Sequence, residues 1–175
     1  MNVLIAYASR TGTTARCARM LADRLAAQDV TLCDIESDSI PPLDGFDFVA
    51  LGAPVRYGKL PKSMRAFMHR HREELLSRRT GYFICCAYID SAPEYLRKLI
   101  PAELARPAAV TSCLGGEIDP RRVRGLDRLV VRMIVGAIRD SGEEEGLIKV
   151  ANLPAINPDN IERFADAVKA SFRRR

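Results

Sequence analysis

Ser9-Arg10-Thr11-Gly12-Thr13-Thr14 sets hydroxyls on Ser9, Thr11, Thr13 and Thr14 around a glycine, between an apolar run over 3–8 and a periodic stretch that begins at Thr13. Hydroxyls and main-chain N–H groups gathered at the mouth of a helix can wrap an anion. The first-turn amides have no intrahelical acceptor, and the aligned peptide dipoles favour negative charge there. The chemistry expected is phosphate binding. Helix capping needs one such hydroxyl, not all of them. The loop has no Gly-Lys-Ser/Thr and no G-x-G-x-x-G, so it fits neither a P-loop nor a dinucleotide turn. A magnesium-holding receiver site would want acidic residues where Ser9 and Gly52 stand.

A second candidate is the stretch Gly52-Ala53-Pro54-Val55-Arg56-Tyr57-Gly58. Tyr57 offers an aromatic face, and Gly58 can take the positive φ that turns a peptide toward a ligand. A third, with a weaker pattern, is Cys86-Ala87-Tyr88-Ile89-Asp90.

These loops need strands and helices to hold them. Short apolar runs over 3–8, 30–34, 48–53, 82–87 and 108–114 alternate with amphipathic stretches over 13–27, 61–76, 93–100 and 158–172. That alternation belongs to an α/β fold, a parallel sheet covered by helices. Five strands with right-handed crossovers predict a doubly wound sheet of order 2-1-3-4-5, whose ligands lie beyond the carboxyl ends of the strands. All three candidate loops follow strands at that end. An extra segment, 115–157, interrupts the alternation after the fifth strand. Within it a helix is expected over 123–139, with Leu126, Leu129, Val130, Met133, Ile134 and Ala137 on one face and Arg124, Arg128, Arg132 and Arg139 on the other. Such a basic amphipathic helix docks on its own sheet or lies on an anionic membrane or a partner.

Composition narrows the classes. A chain of 175 residues with 47% hydrophobic residues supports one domain over 1–175, and its 28% charged residues exclude a disordered chain. Lys+Arg 27 against Asp+Glu 22 leaves +5, too mild an excess to point to nucleic acid. No apolar run approaches the roughly 18 residues of a membrane span, and the N-terminus lacks a signal-peptide pattern, so a cytoplasmic protein is expected. Cys17, Cys33, Cys85, Cys86 and Cys113 are odd in number and lack C-x-x-C spacing, and are read as buried free thiols. With only His69 and His71 beside them, no metal site is expected. His71 shares a helical face with Met64, Phe67, Met68 and Leu75 and reads as a core or boundary histidine.

Ile5 followed by Tyr7-x-Ser9-x-x-Gly12-x-Thr14-x-x-x-Ala18-x-x-Leu21 resembles the flavodoxin signature for the phosphate of FMN. The resemblance implies a flavodoxin-like fold with FMN as cofactor. It assigns Ser9, Thr11, Gly12, Thr13 and Thr14 to the phosphate, with Arg10 as a screening charge. Ala53, Pro54, Val55, Arg56, Tyr57 and Gly58 would meet the isoalloxazine ring, Tyr57 stacking on it. Cys86, Ala87, Tyr88, Ile89 and Asp90 would border its other side. The Gly-Ala-x-x-Arg-Tyr-Gly form and the extra basic helix are similar to the flavodoxin-type, quinone-dependent protoporphyrinogen dehydrogenases.

That likeness implies an FMN-dependent oxidoreductase acting on a small-molecule redox substrate such as a porphyrinogen of haem biosynthesis. A quinone or a redox protein would be the acceptor, with peripheral contact to the inner face of the membrane through 123–139. Homo-oligomers are compatible with it. No catalytic acid or base stands out. Two alternatives stay open: an FMN electron carrier without a substrate of its own, against which the +5 charge argues, and an interaction domain that has lost FMN.

Overall fold

The computed structural model describes residues 1–86, 91–116 and 155–173. Five strands, β1 (Asn2–Tyr7), β2 (Asp29–Asp34), β3 (Phe48–Pro54), β4 (Arg79–Cys85) and β5 (Val110–Cys113), form one sheet of order β2-β1-β3-β4-β5. Every neighbouring pair is parallel, as the alternation of strands and helices requires. The helices are α1 (Thr13–Arg24), α2 (Lys62–Arg70), α3 (Arg72–Leu76), α4 (Ala92–Leu99), α5 (Ala102–Ala105) and α6 (Pro158–Arg173), with a short 3-10 turn at Leu43–Gly45.

Side chains alternate across β1 because the strand repeat is two residues. Val3, Ile5 and Tyr7 pack with Cys17, Leu21 and Leu25 of the α1 region and Ile161, Phe164 and Val168 of α6. Leu4, Ala6 and Ala8 face the other way, against a layer built from Met64, Phe67, Met68, Leu75, Ile100 and Leu104. Both sheet faces are therefore covered, which is why the inner strands read as continuous apolar runs. Phe83 of β4 meets Phe164 of α6 edge-on, 5.7 Å between centroids and 85° between planes. Arg24 pairs with Glu162 at 3.1 Å across α1 and α6.

Several boundaries differ from expectation. The helix expected over 61–76 is two: at His71 the backbone takes φ −99°, ψ 21°, in the bridge region, ending α2 and opening α3. The His71 ring packs 4.6 Å from Phe67, and its Nδ1 lies 2.6 Å from Glu74 Oε2, so it is a boundary histidine with a partner. β4 begins at Arg79, earlier than the apolar run suggests, and α5 was not anticipated. Thr80 and Gly81 are buried members of β4 although neither carries a strand-forming apolar side chain.

The extra segment leaves and returns at one point. Gly115 and Ile156 form an antiparallel bridge, and the Asn157 N–H donates to the Leu114 carbonyl at 2.9 Å. The helix expected over 123–139 lies outside the described residues. Among the described residues, no helix is long and apolar enough to cross a membrane.

Candidate functional site

The carboxyl ends of β1, β3 and β4 adjoin, so the loops that follow them share one edge of the sheet. Main-chain bonds lock them together: the Ala8 N–H donates to the Gly52 carbonyl at 3.0 Å and the Val55 N–H to the Cys85 carbonyl at 2.8 Å.

After β1 the chain turns into α1 through Gly12, whose φ of 92° and ψ of −12° place it in the left-handed region. Gly12 occupies the cap position, and no side chain caps the helix there. Its carbonyl accepts the first helical bond from the Arg16 N–H at 2.9 Å, and Ser9 Oγ accepts from the Ala15 N–H at 3.2 Å. The first-turn amides of Thr13 and Thr14 precede any helical acceptor, so they face the loop. Ser9, Thr11, Gly12 and Thr13 are half-buried, Thr14 is buried and Arg10 is exposed. The result is a concave main-chain cradle with small hydroxyls and no carboxylate in the loop, suited to a phosphate.

After β3, Ala53 is buried, and Pro54, Val55 and Arg56 are half-buried. Arg56 and Lys59 then exchange N–H···O=C bonds, both 3.0 Å, closing a two-residue hairpin with Tyr57 and Gly58 at its tip. Both tip residues have positive φ, 50° for Tyr57 and 70° for Gly58, the signature of a type I′ turn. Glycine takes that conformation freely, whereas a tyrosine is strained in it, and such strain clusters at ligand sites. Tyr57 is 69% exposed, at the edge of the site. A Cβ on Gly58 would lie 3.9 Å from Tyr95 Cε1, so Tyr95 of α4 borders the same hairpin. Tyr95 was not among the expected site residues; its signal is an aromatic early in the helix that follows the third loop.

Of the third loop, Cys86 is buried beside the end of β4, and Ala87, Tyr88, Ile89 and Asp90 lie outside the described residues. Tyr7, at the end of β1, has its phenol pushed up by burial and by nearby Asp34, and stays neutral. All five cysteines are buried and none is in a disulfide. Among the described residues no cluster of His, Cys, Asp and Glu could hold a metal ion.

The arrangement fits FMN: a cradle for a phosphate at the α1 mouth, and an aromatic side chain on a glycine hairpin in the adjacent loop along the same edge. The flavodoxin domain family model matches residues 4–144. The protoporphyrinogen IX dehydrogenase [quinone] of Escherichia coli strain K12 is 24% identical over 145 residues, spanning 77% of this chain and 79% of that protein. The flavodoxin of Streptococcus pneumonia TIGR4 superposes with a TM-score of 0.54 at 17% identity, over 98% of this chain and 99% of that one. A short-chain flavodoxin associated with a non-canonical PDU bacterial microcompartment gives 0.58 at 13% identity, over 98% of each chain. The chain belongs to the flavodoxin domain family and is a flavodoxin-type redox protein whose cofactor is FMN.

Proposed function

We propose that this protein is an FMN-dependent oxidoreductase of the protoporphyrinogen dehydrogenase type, taking hydrogen from a porphyrinogen and passing it to a quinone. The observation that carries the reading is the Arg56–Lys59 hairpin, which presents Tyr57 in a strained conformation beside the phosphate cradle. An aromatic over the ring would serve a carrier equally; the cationic groups that flank it, with the net +5 charge, favour an acidic substrate instead. The similarity to the Escherichia coli quinone enzyme over most of both chains supports the same reading.

In this proposal Ser9, Arg10, Thr11, Gly12, Thr13 and Thr14 hold the phosphate of FMN, the main-chain N–H groups donating and Arg10 screening charge. Ala53, Pro54, Val55, Arg56, Tyr57 and Gly58 form one side of the ring site, and Cys86, Ala87, Tyr88, Ile89 and Asp90 the other. When bound, FMN supplies the two-electron redox chemistry, and the protein supplies position and electrostatics. Tyr57 would cover the ring, its backbone held by the I′ turn. Arg56 and Lys59, paired through their backbones at the hairpin base, offer cationic groups to the propionate carboxylates of a porphyrinogen. The mild +5 charge suits an acidic substrate or an anionic membrane surface where quinone resides.

The test is anaerobic oxidation of protoporphyrinogen IX with menaquinone by the FMN-loaded protein, set against FMN alone. Acceleration that falls in an Arg56→Ala variant is expected. A rate equal to that of free FMN, with salt-dependent reduction by a ferredoxin reductase instead, would assign the protein to electron carriage.

A further inference from the structure

Neighbouring residues on a strand face opposite ways, and the pair Cys85-Cys86 at the end of β4 divides accordingly. Cys85 joins the α1 and α6 layer with Cys17, while Cys86 joins the opposite layer with Cys113 of β5. Cys113 pairs in register with Ile84, two residues before Cys86, so both sulfurs lie on one sheet face. Their Sγ atoms are 3.4 Å apart. A disulfide needs about 2.05 Å, so the sulfurs, in contact across the diagonal of the parallel pair, have a further ~1.4 Å to close.

The surroundings of the two pairs differ in kind. Cys113 Sγ receives a hydrogen bond from the Cys86 thiol and from the main-chain N–H groups of Gly115 and Cys86, which together outweigh burial and hold the thiol down at about 6. Cys85 is pushed well up by its hydrogen bond with Cys17 and by burial, and Cys33 is pushed up by burial and by Asp38 and Asp34. The Cys113 donors are fixed. Gly115 has φ +82°, and a Cβ there would come 2.3 Å from the Ala155 carbonyl oxygen. Asn160 Nδ2 donates to the Cys113 carbonyl at 2.8 Å. A thiolate held beside a second thiol is the arrangement of an attacking cysteine and its resolving partner. Each residue is only 5% exposed, which excludes a protein disulfide and restricts any oxidant to a small one.

We propose that Cys113 and Cys86 form a reversible two-cysteine oxidation site whose oxidant is a small hydroperoxide, hydrogen peroxide being the simplest. The Cys113 thiolate attacks the peroxide O–O bond, taking one oxygen as sulfenic acid and releasing the other as water or alcohol after it gains a proton. The Cys86 sulfur then attacks the Cys113 sulfur, the S–O bond breaks, and the thiol proton leaves with the hydroxyl as water. The pair loses two electrons and two hydrogens, and the peroxide accepts them. The reaction does not pass through the flavin.

The experiment treats reduced, FMN-loaded protein with equimolar hydrogen peroxide, blocks thiols with N-ethylmaleimide under denaturing conditions, and maps the products by mass spectrometry. Free thiols should fall from five to three, with one Cys86–Cys113 bond that dithiothreitol removes. Cys86→Ser should lose the bond and leave Cys113 as a sulfenic acid trapped by dimedone, whereas Cys85→Ser should keep the bond. Five alkylated thiols in the treated wild type, a Cys17–Cys85 bond, or irreversible oxidation of Cys113 without a bond to Cys86 would each overturn the proposal. Because wild-type protein gives the primary result, a variant that fails to fold does not blur the outcome.

Discussion

Three donors converge on Cys113 Sγ, and they make its ionisation part of folding. The folded thiol titrates at about 6, below the roughly 8.5 of a thiol in an unfolded chain. Between those values the unfolded state binds more protons than the folded one, so stability rises with pH across that window. The contribution is complete above the unfolded value and is lost as pH falls through the folded one. Urea unfolding under reducing conditions should therefore show wild type gaining on Cys113→Ser as pH rises from 6 to 8.5; a pH-independent gap would contradict the thiolate. Tyr57 carries the opposite kind of signal, a cost borne by the folded state. A non-glycine residue with left-handed backbone costs about 1–2 kcal/mol, which asparagine largely escapes. Tyr57→Asn should stabilise the FMN-free protein by about 0.5–1 kcal/mol in denaturant titrations. The same change should weaken FMN binding up to about tenfold, because aromatic stacking is worth roughly 0.5–1.5 kcal/mol. At this scale the phosphate loop was legible in the sequence, since all its parts are consecutive. The Cys86–Cys113 pair was not, because parallel pairing of β4 and β5 joins residues whose separation along the chain carries no pattern.

α6 opens with a side-chain cap. Asn157 Oδ1 accepts from the Asn160 N–H at 3.1 Å, Pro158 follows at a position where its missing N–H costs nothing, and the Ile161 N–H closes the first helical bond on the Asn157 carbonyl at 3.2 Å. Asn157→Ala should cost about 1 kcal/mol, and Asn157→Ser should recover most of it. Equal losses in both variants, measured by thermal or denaturant unfolding, would show that the side-chain oxygen is not what holds the helix start. The Asn160 side chain binds the Cys113 carbonyl, so this cap also fixes the end of β5. The extent of α6 was readable as an amphipathic stretch over 158–172, and its cap was not. Nor was the start of β4, because Arg79 and Gly81 interrupt the apolar pattern and are held by parallel pairing with β3, and Thr80 alone does not announce a strand. The break at His71 was equally hidden: Met64, Phe67, Met68 and Leu75 keep one apolar face through it, and periodicity reports faces, not backbone angles.

Over the whole molecule, FMN binding and folding are one equilibrium. The proposed phosphate cradle relies on main-chain donors that converge only when β1 has delivered the loop to the start of α1, so the unfolded chain has no equivalent site. A ligand that binds only the folded state stabilises it by RT ln(1 + [L]/Kd), about 2.7 kcal/mol when the free ligand is at 100 times Kd. For a chain of this size each kcal/mol raises Tm by roughly 2–4 °C, so saturating FMN should lift Tm by about 5–11 °C. Riboflavin has the same ring and no phosphate, and at equal concentration it should give a much smaller rise. Thr13→Val and Thr14→Val remove hydroxyls but keep the amides. If main-chain donors dominate, these variants should retain a clear preference for FMN over riboflavin. Equal Tm shifts from the two ligands in the wild-type protein would mean that the opening of α1 does not hold the phosphate, and the ring loops alone would have to account for binding.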